Sequence, residues 1–228
     1  MDQNTWTTHL LHKETIANQI VELRFIKPAR FTFQAGQFVQ FIIPKDGQEI
    51  LRSYSIASHP ASDEIELCVK LLPGGVGSTF FEQVTPETEI RFIGSRGRFV
   101  VGDSAEPLYF VATGAGLAPI MGMIADELIN KKNTEPIELL FGVRSEEDIF
   151  WTDRLDALQK EYSNFHYRLT LSQPRSAWAG LSGRVSTHLN PNISSHYFIC
   201  GSAEMVKDVR ELLLKQAVQN GSIHFEIF

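Results

Sequence analysis

The chain has 228 residues, room for one large domain or two of about 100 residues each, and its 43% hydrophobic and 21% charged residues are ordinary for a folded globular protein. A net charge of −6 argues against general nucleic-acid affinity, which needs a basic face to replace phosphate counterions. The two cysteines, Cys68 and Cys200, are too few to ligate an iron–sulfur cluster and do not form a disulfide framework, so a reducing, cytoplasmic setting is expected and no metal site.

In chain order, Met1-Asp2-Gln3-Asn4 is polar and lacks the basic-then-apolar pattern of a signal peptide. Short strands are predicted next. Val21–Phe25 alternates, Phe38–Ile42 does so in part, Ile65–Leu71 alternates cleanly, and Glu89–Ile93 follows. Turn clusters separate them at Pro44–Gly47, His59–Asp63 and Pro73–Gly75, a spacing that suggests an antiparallel barrel or sandwich. The 11% aromatic content, with 16 Phe, favours a β-rich core or a site for flat rings.

The pattern changes near Gly102–Pro107, and a domain boundary is placed at Ser104, dividing the chain into 1–104 and 105–228. Beyond it, Leu108–Ala112, Ile137–Phe141, Phe165–Leu171 and His196–Cys200 are apolar without alternation, as strands buried on both faces are. Helices are predicted between them at Leu117–Asn130, Thr152–Tyr162 and Glu204–Gln219. Strand–helix alternation of this kind implies a doubly wound parallel sheet. Leu108–Ala125 carries no charge and is as long as a short membrane span, but its glycines and proline fit a strand, a turn and a helix better than one continuous helix.

Ligands bind such sheets beyond the carboxyl ends of the strands. Those ends read Thr113–Gly116, Gly142-Val143-Arg144, Ser172-Gln173-Pro174, Cys200-Gly201-Ser202 and Phe228. Thr113-Gly114-Ala115-Gly116, with Pro119 in the following helix, reads as a phosphate turn or simply as a tight turn. Arg52 and Tyr54 share a strand face, where they could hold a pyrophosphate and a flat ring, or merely cover an exposed strand. After Pro73-Gly74-Gly75, the pair Thr79 and Glu82 has capping-box spacing, so a short helix is predicted to start here with an anion site at Gly77, Ser78 and Thr79, or simply a glycine hairpin with a capped turn, the two being compatible. Cys200 by itself reads as a small buried hydrophobe. In the final segment Ile223, Phe225 and Ile227 share one face and His224, Glu226 and Phe228 the other, a strand whose end is expected to be tied down.

Together these segments resemble the ferredoxin–NADP reductase superfamily. Arg52-Ser53-Tyr54-Ser55 is similar to its flavin motif, Gly77-Ser78-Thr79 to its second phosphate loop, and Thr113–Gly116 with Pro119 to its nicotinamide-dinucleotide loop. Gly142, Val143 and Arg144 with Asp148-Ile149-Phe150, Cys200-Gly201-Ser202 with Met205, and Glu226-Ile227-Phe228 resemble its later segments in the family's order. The resemblance implies an antiparallel β-barrel FAD-binding domain followed by a doubly wound nicotinamide-binding α/β domain. It implies FAD held by Arg52, Tyr54, Ser55, Val69, Lys70, Gly75, Gly77, Ser78 and Thr79. NADH or NADPH would then lie against Thr113, Gly114, Gly116, Pro119, Gly142, Arg144, Cys200, Gly201, Ser202 and Met205, with Phe228 over the flavin.

What the family does is implied in the same way: hydride passes from nicotinamide C4 to flavin N5, among Ser55, Cys200, Glu226 and Phe228. Ser55 would hydrogen-bond N5, Cys200 would sit against the nicotinamide, and Glu226 would relay a proton or orient Ser55. Electrons would go to or come from a ferredoxin or flavodoxin, with an oxygenase component or free flavin as alternative acceptors. A non-catalytic flavin-binding electron-transfer or regulatory subunit is the alternative of another class. Leu171–Pro174 lacks the Arg directly after Ser that serves a 2′-phosphate, which leans the preference to NADH, although Arg144 and Arg175 could still serve one. A monomer is expected.

Overall fold

The computed structural model describes residues 5–102 and 105–228; Met1–Asn4 and the boundary expected at Ser104 lie outside the described residues. The first half contains β1 (Thr5–Thr8), β2 (Leu10–Ala17), β3 (Ile20–Ile26), β4 (Phe38–Lys45), β5 (Gln48–Ser55), β6 (Glu64–Lys70), helix α1 (Val76–Gln83) and β7 (Ile90–Arg96). They form two antiparallel sheets, ordered β1-β7-β4-β5 and β2-β3-β6, that enclose one core. Alternation explains the enclosure: Ile65 and Leu67 on β6 are wholly buried, as are Leu23 and Phe25 on β3, while residues between them face outward or towards the second half. α1 adds Phe81 to this core, edge-on to Phe41 at 5.4 Å and to Tyr54 at 5.0 Å.

The second half contains β8 (Leu108–Thr113), α2 (Leu117–Ala125), β9 (Ile137–Val143), α3 (Thr152–Glu161), β10 (Phe165–Leu171), β11 (Leu181–Ser182), β12 (His196–Gly201), α4 (Ala203–Lys215) and β13 (Ile223–Ile227). The sheet is parallel throughout, in the order β11-β10-β9-β8-β12-β13. Strand order reverses between β8 and β12, so their carboxyl ends open a crevice. Helices cover both faces. α2 and Leu155 of α3 join one core cluster, which also takes in Ile20, Ala57, Cys68 and Phe99 of the first half; α4 packs on the other face through Val206, Val209 and Leu213. The two halves therefore share a continuous apolar seam.

Several elements depart from the sequence reading. β1 and β2 were not anticipated, because Leu10–Ala17 is mostly exposed and its Leu-Leu-His-Lys-Glu-Thr run lacks alternation. α1 begins at Val76 with Gly75 as its N-cap, three residues before Thr79, and the cap has no side-chain bond. The Thr79–Glu82 capping box is thus a correction: Thr79 lies inside the helix, its N–H already given to Gly75 O at 2.9 Å. The helix from Leu117 is α-helical to Ala125 and closes with one π turn over Asp126–Asn130. α4 stops at Lys215, short of Gln219, because Ala217 takes a left-handed conformation (φ 64°) and Val218 bonds back to Leu213 O; no glycine announces this stop.

Candidate active site

The crevice between the halves is a cleft of about 920 Å³. Its floor follows from the strand ends: Thr113, Gly114 and Gly116 after β8, Gly142 and Arg144 after β9, and Gly201, Ser202 and Met205 after β12. Tyr54 and Ser55 of β5 and Val69 and Lys70 of β6 form the opposite wall, and Phe228 lies across the mouth. A second, smaller hollow of about 650 Å³ shares Ser55 and Phe228 and runs past Phe38, Arg98 and His224.

Close approach explains the glycines. A Cβ on Gly116 would stand 2.3 Å from the carbonyl oxygen of Cys200, so only glycine lets the β8–α2 turn cross the end of β12. A Cβ on Gly77 would stand 1.8 Å from the Tyr54 hydroxyl and 3.9 Å from Arg52 Cγ. Arg52, Tyr54 and the start of α1 therefore meet. Gly77 and Ser78 occupy the first turn of α1, where helix N–H groups lack helical acceptors. Ser78 Oγ is committed, accepting from Leu72 N at 2.7 Å. The Arg52 guanidinium donates to the Leu51 carbonyl and has no carboxylate partner among the described residues.

The two halves touch where Ser55 meets β13 at one end of the cleft. Ser55, 4% exposed, donates through Oγ to Glu226 Oε1 at 3.2 Å. Burial raises the Glu226 carboxyl above its ordinary value, against the opposing effect of the Ser55 hydrogen bond. Burial likewise pushes the Cys200 thiol well up, with Glu226 adding to it. Cys200 is fully buried and does not line the cleft; it packs beneath the Gly116 turn. Pro119 is also buried in the first turn of α2 and lines nothing. β13 alternates as expected: His224 stacks on Phe198 at 4.7 Å, Glu226 reaches Ser55, and Phe228, 56% exposed, turns into the cleft. The Phe228 N–H donates to Gly201 O at 3.1 Å, which ties that segment to β12.

Ser202 has two roles, lining the cleft and capping α4 by accepting from Met205 N at 3.3 Å. Arg175 is engaged by Glu147, and Arg184 by Glu204 at 2.5 Å, while the Arg144 side chain has no such partner among the described residues. Sequence reasoning missed Asn18 and Ile20, brought to the cleft by the β2–β3 hairpin, for which no local signal exists. It also missed Ser145, whose capping box with Asp148 at 2.9 and 3.0 Å was legible as Ser-x-x-Asp. Among the described residues no group of three or more His, Cys, Asp or Glu is placed to hold a metal ion.

Two family models match the chain, an oxidoreductase FAD-binding domain over residues 7–101 and an oxidoreductase NAD-binding domain over residues 110–211. Ferredoxin–NADP reductase B of Sorangium cellulosum is 37% identical over 194 residues, covering 80% of this chain and 79% of that protein. The chain belongs to the ferredoxin–NADP reductase superfamily. It is an FAD-dependent NAD(P)H oxidoreductase with a nicotinamide dinucleotide as its small-molecule partner. The electron transfer component of anthranilate 1,2-dioxygenase from Acinetobacter baylyi is 30% identical over 97% of this chain, which spans 63% of that protein. In fold, a ferredoxin NADP+ reductase from Neisseria gonorrhoeae with bound FAD and NADP superposes with a TM-score of 0.86 at 22% identity, covering 99% of each chain.

The residues present fit the two cofactors. Gly77 lets the Tyr54 hydroxyl come in where a Cβ would stand, and so brings the start of α1 close to Arg52, a cation without a carboxylate partner among the described residues. A permanently charged guanidinium beside helix N–H groups is donor chemistry suited to a pyrophosphate. No helix of the described residues is long and apolar enough to cross a membrane.

Proposed function

We propose that the protein carries electrons between NADH or NADPH and a ferredoxin or flavodoxin, with FAD resident on the 1–104 half and the nicotinamide dinucleotide on the 105–228 half. FAD held there would supply the redox chemistry, a two-electron exchange with the nicotinamide and release of electrons singly or in pairs. Arg52 and the first turn of α1 hold the FAD pyrophosphate, with Gly75 and Thr79 shaping that turn and Val69 and Lys70 beside it. Tyr54 lies against one face of the flavin ring and Phe228 against the other. Thr113, Gly114 and Gly116 receive the dinucleotide phosphates, with Gly142, Arg144, Gly201, Ser202 and Met205 along its path. Ser55 presents its hydroxyl to flavin N5, and Glu226 orients that hydroxyl and holds a proton. Cys200 acts from beneath the Gly116 turn, which its backbone carbonyl supports, and not by contact with the nicotinamide.

One observation carries this reading: the Ser55–Glu226 hydrogen bond of 3.2 Å joins the two halves at the end of the cleft where Tyr54 and Phe228 stand. NADH is the proposed donor, since Gln173 follows Ser172, and Arg175 and Arg184 are engaged by acids; Arg144, in the cleft and without an acid partner among the described residues, is the group left to serve a 2′-phosphate. A second reading, service to an oxygenase, is favoured by the Acinetobacter baylyi relative. Action as a cytoplasmic monomer without nucleic acid completes the proposal. The test is direct. Purified protein retains a yellow chromophore that is released as FAD on denaturation, and NADH or NADPH bleaches it without air. Ferredoxins, flavodoxins, oxygenase components and free flavin are then screened for nicotinamide-driven reduction. A colourless protein that takes up no FAD overturns the proposal.

A further inference from the structure

Behind the cleft the two halves meet through buried charge. Glu22 on β3 is 2% exposed. Its Oε2 accepts from Trp151 Nε1 at 2.8 Å and from an Arg154 NH2 group at 2.7 Å. The other arm of Arg154 donates to Glu66 Oε1 on β6 at 2.6 Å. Arg24 stands 3.2 Å from the second Glu22 oxygen, and the Arg154 guanidinium lies 4.9 Å from the centre of the Trp151 ring. Two barrel strands are thus joined to the start of α3 by charge-assisted hydrogen bonds.

The joint has two features that stability alone does not call for. Taking charges out of water is costly, and apolar packing of equal volume often serves a fold as well or better. Trp151 also sits at the N-cap of α3 with φ 56° and ψ 17°, a left-handed conformation that is unfavourable for a bulky residue and persists where the surroundings over-determine it. The Glu22 carboxylate is among the contacts that do so. The joint adjoins the cleft wall directly: Phe150 precedes Trp151, and Cys68 lies opposite Glu22 in the β3–β6 register, and both line the cleft.

We propose that Glu22, acting through Arg154 and Trp151, is a positioning residue that sets how closely the nicotinamide half is held against the flavin half. It touches none of the reacting atoms. It fixes the separation across which the nicotinamide must reach, and such a separation is sensitive, because a misplacement of about 1 Å can cost about a hundredfold in rate. The inference rests on the proposed placing of the two cofactors, and one of its readouts is independent of them. Cys68 is a buried free thiol in the seam between the halves, so its alkylation rate reports how far the joint opens.

The experiment uses the purified, flavin-loaded protein and the variants Glu22→Gln and Arg154→Met. Iodoacetamide labelling of Cys68, read by peptide mass spectrometry without nicotinamide, is expected to be about tenfold faster in both. The limiting rate of flavin reduction is expected to fall about ten- to hundredfold, with flavin retained and KM little changed. A merely stabilising role would lower Tm and leave labelling and limiting rate at parental values in the folded variants; that result overturns the proposal. Should either variant fail to fold, the double variant Glu22→Leu/Arg154→Met removes both charges together and leaves neither of that pair without its partner. It is expected to fold, label fast and reduce slowly. Parental labelling and rate in the double variant, or its failure to fold, overturns the proposal. Failure of the parent to bind FAD bears on the functional reading alone, since the labelling comparison does not require the cofactor.

Discussion

Each half of the molecule sets glycines at the start of a helix, and the two turns differ in what surrounds them: the turn before α2 lines the cleft, whereas the start of α1 lies against Arg52 and Tyr54. At α1, Gly75 and Gly77 stand beside Arg52, a cation with no carboxylate partner among the described residues. At α2, Gly114 and Gly116 sit among strand ends, and two arginines on that side, Arg175 and Arg184, are already engaged by Glu147 and by Glu204. A cation without an acid partner suits an anion that stays. Arginines already paired with acids suit an anion that must arrive and leave each cycle, because the acids replace it on departure. The contrast is confined to Arg175 and Arg184, since Arg144, which lines the cleft beside Gly142, has no acid partner among the described residues either, and to that extent it fits the proposed resident FAD and exchanging nicotinamide dinucleotide. The close approaches differ as well: Gly77 meets the end of a side chain, whereas Gly116 meets backbone.

Gly116→Ala tests the difference between the two turns most severely. Its Cβ would lie 2.3 Å from Cys200 O and 2.6 Å from Cys200 C, and backbone cannot swing aside. A loss of about 1–3 kcal/mol in stability is expected, with about a hundredfold lower turnover from the displaced turn. Thermal melts and steady-state rates check it; a parental rate would mean that β12 moves freely there. Gly77→Ala is expected to be milder, because Tyr54 can rotate away. Next in size is Arg52→Ala. A charge-assisted contact to phosphate is worth about 1.5–3 kcal/mol, so FAD retention should fall about ten- to hundredfold while nicotinamide affinity of reloaded enzyme is unchanged. Dialysis followed by FAD titration measures it, and parental affinity removes Arg52 from the flavin site.

Glu226 links the two sides and yields a pH prediction. Its carboxyl is raised by burial, so the folded protein holds this proton more tightly than the unfolded chain. Its contribution to stability is therefore fully present below the unfolded pKa and lost as pH rises through the folded one. If the held proton also serves the reaction, the limiting rate falls above the raised pKa, approaching about tenfold per pH unit as the protonated fraction does. Glu226→Gln should flatten that profile; a variant with the parental profile assigns the dependence to another group. The smallest expected effect is at Phe228. Stacking is worth about 0.5–1.5 kcal/mol beyond area, so Phe228→Ala should strengthen nicotinamide binding about two- to tenfold and shift the NADH/NADPH preference. Titrations followed by flavin absorbance decide it, and identical affinities would make Phe228 a cover for the edge of β13.

Local patterns carried much of the fold. Strands β8, β9, β10 and β12 stand where unbroken apolar runs predicted them, because a strand buried on both faces needs no polar alternation. The rim of small residues at their ends became the cleft floor. Capping was read less well. Thr79 and Glu82 have the spacing of a box without its position, since the tie of Ser78 Oγ to Leu72 N, not a capping side chain, fastens the loop entering α1. Ala217 ends α4 in a conformation that its residue type does not advertise.

Apolar period, glycine and charge act over a few residues, so the amino-acid sequence was enough for the strand–helix order beyond Leu108 and for the chemistry available at each turn, though not for β1 or β2. Tertiary structure alone decided which of those groups meet. Ser55 and Glu226 lie 171 residues apart in the chain, and Glu22 and Trp151 129 apart. Nothing local encodes either pairing. Cys200, read as lying against the nicotinamide, is sealed beneath the Gly116 turn because β12 runs centrally in the sheet between β8 and β13. Burial, and with it the raised Glu226 carboxyl, is a property of the packed halves, since desolvation exists only once the surrounding atoms have displaced water.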